Sequence, residues 1–343
     1  MAITGPARMM RILCVTGLTL LLSACGSRGS AAPVVKIGLI APFEGLGRPL
    51  GYAILPVVQE VVGEANTSSE LRGYRLSLVA LNDESYGPEA AAQARVLALD
   101  PEIVAVLGPW SARTLEAAAP ALAERRLATV SAAPAERLAG IANVCPAADE
   151  LADALLVRAR ETNKDVVIAG PENALAFALS EMEPGAVRWS PAADSAETPD
   201  ASQIVIHTGE AEVAANDLVR WRRLGWKGPL IGGPDMAQPW FGDLAGAYAE
   251  GIEALVCGRS ASSDDPANTG DVYQRAAREA AEAALDAITE AIAETGSPSR
   301  SAVAQALTQS PPEAQTHWYR YSTGSWLYDA EASVSPGPAA RAD

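Results

Sequence analysis

Histidine is nearly absent from this 343-residue sequence, which holds only His207 and His317. Cysteine is limited to four residues, none in C-x-x-C spacing. The usual nitrogen and sulfur ligand sets for zinc are therefore missing, and neither a metal nor any other cofactor is expected. Basic residues are short as well: 26 Lys and Arg face 42 Asp and Glu, for a formal net charge of −16. With no offsetting basic stripe, a nucleic-acid or anionic-membrane surface is excluded as a function class. The sequence has no G-x-S-x-G elbow, no Walker-type phosphate loop and no G-x-G-x-x-G after its first apolar run. Catalysis is not expected. What remains is a chain 49% apolar and 20% charged, long enough for two packed cores.

The N-terminus is the most specific segment. Arg8 and Arg11 precede an apolar run, Ile12–Leu22, that is too short to span a bilayer and reads as a signal-peptide core. It ends in Leu22-Ser23-Ala24-Cys25, which resembles a bacterial lipobox, so Cys25 is the expected lipidation site of an exported protein. The polar stretch after it suits a flexible tether. No other segment is long and apolar enough to cross a membrane, and the anchor would be the only membrane contact. Cys14 would leave with the signal, so Cys145 and Cys257 remain as an even pair in an oxidising compartment. A disulfide and two buried thiols are both open at this point.

Along the mature chain, short β-branched runs alternate with helical stretches. Strands are expected at Val34–Ile40, Tyr74–Leu81, Ile103–Leu107 and Ala128–Val130, with helices at Ala53–Ala65, Glu89–Leu99 and Thr114–Glu124. The pattern restarts with a helix at Leu151–Thr162 and strands at Asp165–Gly170, Ala186–Trp189, Gln203–Gly209 and Pro229–Asp235. Such βα alternation predicts parallel sheets, and two series predict two α/β lobes. Asp271–Thr295 is the clearest helix, with Tyr273, Ala277, Ala280, Ala284, Ile288 and Ile292 on one apolar face. A hairpin is expected around Thr323-Gly324, and a disordered tail from Ser335.

In open α/β sheets, ligands sit beyond the carboxyl ends of strands, against helix N-termini. The loops "APFEGLG", "GPWSART" and "SAAPAE" all lie at such ends and are built of small residues. Candidate contacts there are Phe43, Trp110 as an apolar wall, the hydroxyls of Ser111, Thr114 and Ser131, and Arg113 as a carboxylate partner.

The runs "VVKIGLIAPFEGLG", "LRGYRLSLVALNDES" and "IVAVLGPWSARTLEAAAPALAERRLATVSAAPAERL" resemble the first lobe of branched-chain amino-acid-type ABC-transporter substrate-binding proteins. "RWRRLGWKGPLIGGPD" and "AGAYAEGIEALVCG" resemble their second lobe and its hinge crossing. The resemblance implies two parallel-sheet α/β lobes joined by a multi-strand hinge, the type I periplasmic-binding-protein fold. The second lobe is reduced, because "SPAADSAETPDAS" lacks apolar periodicity where the family fits a loop and a helix. The implied division is a signal peptide 1–24, a tether 25–33, lobe 1 from 34–145 and 258–316, lobe 2 from 146–257 and 317–334, and a tail 335–343. It also implies a monomeric, lipid-anchored binding protein that takes a small polar ligand, an amino acid or amide, between its lobes and delivers it to ABC permease subunits. Ala112 stands where the family presents a serine to the ligand carboxylate, and Ala133 and Ala135 stand where small and hydroxyl residues are usual. Asp235 corresponds to a family acid that binds the ligand ammonium, and Glu210 stands near a position the family gives to an aromatic. Cys145 and Cys257 fall at the two crossings between lobes, so the resemblance implies a hinge disulfide. A protein that kept the fold and became an interaction or sensory lipoprotein is the alternative.

Overall fold

A computed structural model describes residues 32–189, 197–258 and 269–329. The expected signal peptide, Cys25 and the tail from Ser335 lie outside the described residues, as does 190–196 of the "SPAADSAETPDAS" loop.

The first sheet grows from β1 (Val34–Ala41), whose last five residues are all buried. β1 pairs in parallel with β2 (Arg75–Asn82) on one side and β3 (Ile103–Leu107) on the other. β4 (Ala128–Ser131) and β5 (Ile141–Asn143) complete the order β2-β1-β3-β4-β5. A parallel sheet is covered on both faces, and its strands alternate between two cores. Leu39 and Leu107 belong to one core, Ile40 and Val106 to the other. The second face is covered by α2 (Gly87–Leu99) and α3 (Ala112–Glu124), which pack on each other. The first face is covered by α1 (Arg48–Thr67), α8 (Thr269–Thr295) and α9 (Arg300–Gln309). On α8 the expected stripe is buried throughout, from Tyr273 to Ile292. Its alanines let the backbone lie close to α1, β3 and β4, while Ile288 and Ile292, buried almost completely, contribute about 2 kcal/mol each.

The second sheet follows α4 (Ala148–Glu161) and contains β6 (Val166–Ala169), β7 (Val187–Trp189), β8 (Ile204–His207), β9 (Leu230–Gly232) and β10 (Glu253–Cys257). These strands are parallel, with α5 (Ala174–Met182), α6 (Ala211–Arg223) and the short α7 (Phe241–Ala245) between them. β11 (Thr316–Ser322) and β12 (Ser325–Tyr328) add the expected hairpin antiparallel to β10, giving the order β12-β11-β10-β9-β8-β6-β7. Between β7 and β8, residues 197–203 hold no helix. This sheet has seven strands where the first has five.

Three crossings join the sheets side by side. The Gln315 N–H donates to the Val144 carbonyl at 3.3 Å, and the Gly258 N–H donates to Gln315 at 2.9 Å. A disulfide links Cys145 to Cys257 there, with Cα atoms 4.9 Å apart. Both sulfurs are in the core, at 2% and 4% residue exposure.

Candidate functional site

The carboxyl ends of β1 and β3 in lobe 1 face those of β8 and β9 in lobe 2. Gly108 follows β3 with φ +81°, and a side chain there would run into the Ile40 carbonyl, so only glycine fits. This turn delivers Trp110 to the cleft, 2% exposed, and Ser111 to the start of α3. Ser111 and Thr114 form a reciprocal cap: the Thr114 N–H donates to Ser111 Oγ, and the Ser111 N–H donates to Thr114 Oγ1, each at 3.4 Å. Their hydroxyls are 2.9 Å apart. The hydroxyls expected as ligand donors thus serve the helix end.

Lobe 2 meets this helix end with acids. Glu210, just before α6, accepts a bidentate pair from Arg113, with Nε–Oε1 at 3.0 Å and Nη2–Oε2 at 2.7 Å. The bond to Glu210 raises the Arg113 guanidinium above its ordinary range. Asp235, in the loop after β9, is 7% exposed. Burial, reinforced by the Glu210 charge, pushes its carboxyl well above the carboxylate range, while the Ala112 N–H at the start of α3 and the Arg113 charge act the other way. Just after β2, Asp83 is 1% exposed, and burial raises it to about 6 against the pull of the Ser85 N–H and Arg113. Glu212 accepts a 3.0 Å bond from Trp240 Nε1.

Trp110, Ser111, Glu210 and Asp235 line one interlobe cleft with residues that sequence patterns did not single out, notably Asp83, Glu212, Gln238 and Trp240. Three buried polar atoms there have no hydrogen-bond partner among the described residues: Trp110 Nε1, Asp235 Oδ1 and Gln238 Oε1. Tyr273 of α8 lines an adjoining hollow that shares Trp110, Asp235 and Gln238 with the cleft, and its hydroxyl donates to the Pro234 carbonyl at 3.1 Å.

Other expected contacts stand away from the cleft. Ser131 is fully buried and donates to the Pro109 carbonyl at 2.6 Å, and its oxygen accepts the Ala133 N–H at 3.1 Å. Ala133 and Ala135 are equally buried, in a small cluster with Leu115. Phe43 packs edge-on against Tyr52, and its N–H is held by Asn82 Oδ1 at 2.7 Å. Ala112 takes part through its backbone.

Residues 34–176 match the family model of the periplasmic binding proteins. The leucine-binding protein LivK of Thermotoga maritima superposes with a TM-score of 0.72 at 20% identity, over 86% of this chain and 98% of that one. This chain has the type I periplasmic-binding-protein fold. Two further structures with this fold are similar to it. The substrate-binding protein LivJ of Streptococcus pneumoniae, in complex with isoleucine, gives a TM-score of 0.68 at 15% identity, over 85% and 97% of the two chains. A solute-binding protein of Rhodopseudomonas palustris, in complex with benzoate, gives 0.66 at 15%, over 86% and 95%. No curated relative matches the chain. The first-lobe runs that carried the resemblance lie within the matched residues.

Proposed function

We propose that this chain is an extracytoplasmic solute-binding protein of an ABC importer, tethered by lipid at Cys25, that takes a small polar ligand between its lobes. One observation carries the reading: Trp110 Nε1, Asp235 Oδ1 and Gln238 Oε1 converge unpartnered on a single interlobe cleft. Each unmade buried bond costs about 1–3 kcal/mol, which a bound solute would recover. Asp235 holds the ligand ammonium, Trp110 supplies an apolar wall, and Arg113 and Glu210 stand at the rim. Swinging of the lobes about the three crossings reports occupancy to permease subunits. The chain acts as a monomer and performs no chemistry on its solute. Leucine, isoleucine and benzoate in the names of similar structures support a small organic solute without choosing one.

The test is calorimetry on the full chain in detergent against amino acids, amides, amines and aromatic acids. A saturable heat with any of them is expected, and silence across the set overturns the reading. Labelling with a radioactive fatty acid tests the anchor, and Cys25→Ala should abolish it.

The Arg113–Glu210 pair favours a second reading, an interaction lipoprotein that keeps the fold with its mouth shut. A chain that binds none of these solutes and does not change its scattering radius with any of them would support that reading.

A further inference from the structure

The cleft has two kinds of group that would welcome an anion, and both are already engaged by acids of the opposite lobe. One is the N-terminal end of α3, which attracts negative charge. Its Ser111 and Thr114 amides are satisfied by the reciprocal cap, and the Ala112 N–H acts on the Asp235 carboxylate. The other is Arg113, whose fork is filled by both oxygens of Glu210. A bidentate guanidinium–carboxylate pair is the arrangement that a ligand carboxylate would otherwise make. Against these stand the unsatisfied atoms. Asp235 Oδ1 and Gln238 Oε1 are acceptors on side chains 7% and 4% exposed, and only Trp110 Nε1 is a donor. Asp83, Glu210, Glu212 and Asp235 give the lining four carboxyl groups.

From this arrangement we infer that the site takes a primary amine or other compact organic cation without a carboxylate, because Glu210 and Asp235 occupy the groups a ligand carboxylate would need. The inference rests on the solute-binding reading and names its ligand class. The ammonium satisfies Asp235 Oδ1 and Gln238 Oε1, and the apolar part of the amine lies on Trp110. A ligand carboxylate would have to displace Glu210 from Arg113 and then sit among the remaining acids. Glu210 is therefore a specificity-determining residue: it repels carboxylates directly and removes their partner.

The experiment compares matched pairs that differ only by the carboxylate: leucine with 3-methylbutylamine, lysine with 1,5-diaminopentane, and arginine with agmatine. Each is titrated calorimetrically into the full chain in detergent at pH 8. The amine of at least one pair should bind tenfold or more tightly than its amino acid. Glu210→Gln, at a rim position whose side chain is 24% exposed, frees Arg113 and should shrink that ratio tenfold or more. Asp235→Asn should lose the amine, with an unchanged thermal midpoint showing that the fold survives. Amino acids binding as tightly as their amines, or a ratio indifferent to Glu210→Gln, would overturn the inference and leave the solute-binding reading standing. Silence from both members of every pair overturns the inference; silence from the amides and aromatic acids as well overturns the reading beneath it.

Discussion

Replacing both bridging cysteines, as Cys145→Ala with Cys257→Ala, should destabilise one lobe far more than the other. The two residues are 112 apart in sequence, and the strands between them, β6 to β10, are the parallel part of the second sheet. The bridge thus closes lobe 2 into a loop. The chain-entropy relation for a loop of that length gives about 5 kcal/mol as an upper figure, and native disulfides typically return about 2–5 kcal/mol. Both positions are buried, so alanine leaves small cavities whose cost adds to the loss. Lobe 1 is held by α1, α8 and α9 on its own sheet, which the loop does not contain. Urea unfolding followed by hydrogen exchange separates the two effects. Amides of β6, β8 and β9 should lose protection corresponding to about 2–5 kcal/mol, while those of β1 and β3 lose less than about 1 kcal/mol. Reducing the unaltered chain should reproduce this pattern. A uniform loss over both sheets, or a loss below about 1 kcal/mol in lobe 2, would refute the loop-closure argument.

Three further outcomes are expected. Asp83 has its folded pKa raised to about 6 from an unfolded value of 3.8. The folded state therefore holds its proton longer, and stability falls as pH rises from about 4 to 6. Asp83→Asn should remove that fall and gain up to about 3 kcal/mol at pH 7, read as a pH-dependent difference in denaturation midpoints; equal midpoint differences at pH 4 and pH 7 would contradict it. A double-mutant cycle on Arg113 and Glu210 should give a coupling of about 0.5–1 kcal/mol, falling with salt, because the Arg113 side chain is 51% exposed. A coupling unaffected by salt would contradict a rim ion pair. Binding of a cation should favour the charged form of Asp235 that burial disfavours; the charged and titratable groups around that carboxyl include Glu210, Glu116, Arg113 and Tyr273. Calorimetric heats should then vary with the ionisation enthalpy of the buffer, and affinity should fall as pH drops below the raised pKa. Buffer-independent heats would show that Asp235 is already ionised.

Much of the framework was legible because it is written locally. Alternating runs such as "VVKIGLI" and the Tyr273–Ile292 stripe state their period within a few residues, and the structure places them as β1 and α8. β5, three half-buried residues long, and α9, with few large apolar side chains, carry too little pattern to stand out. Of the expected loops, "GPWSART" lines the cleft with Trp110 and Ser111, while several expected side chains are engaged elsewhere. Ser131 looked like a ligand donor, yet the Pro109 carbonyl claims it across 22 residues. Arg113 was read as a carboxylate partner, and it has one, but the carboxylate is Glu210, 97 residues away. No local pattern specifies such a pairing. Asp83 and Gln238 look like ordinary loop polars until the fold buries them. A hint lay in "GGPDMAQPW", where Asp235, Gln238 and Trp240 are spaced to line one wall.

The bond between Cys145 and Cys257 also sets what kind of motion the molecule can make. It sits where three strands of chain pass between the sheets, already laced by Val144, Gln315 and Gly258. The two crossings joined covalently at that point cannot slide past one another, so the bridge opposes shear there. In the proposed swing of the lobes the bridge is the pin of a door and the Arg113–Glu210 pair its latch. The travel of that latch is fixed by its distance from the pin and by how far the flanking peptides can turn. A reductant would then loosen the pin rather than the latch, letting the two sheets shift sideways even with the rim still closed.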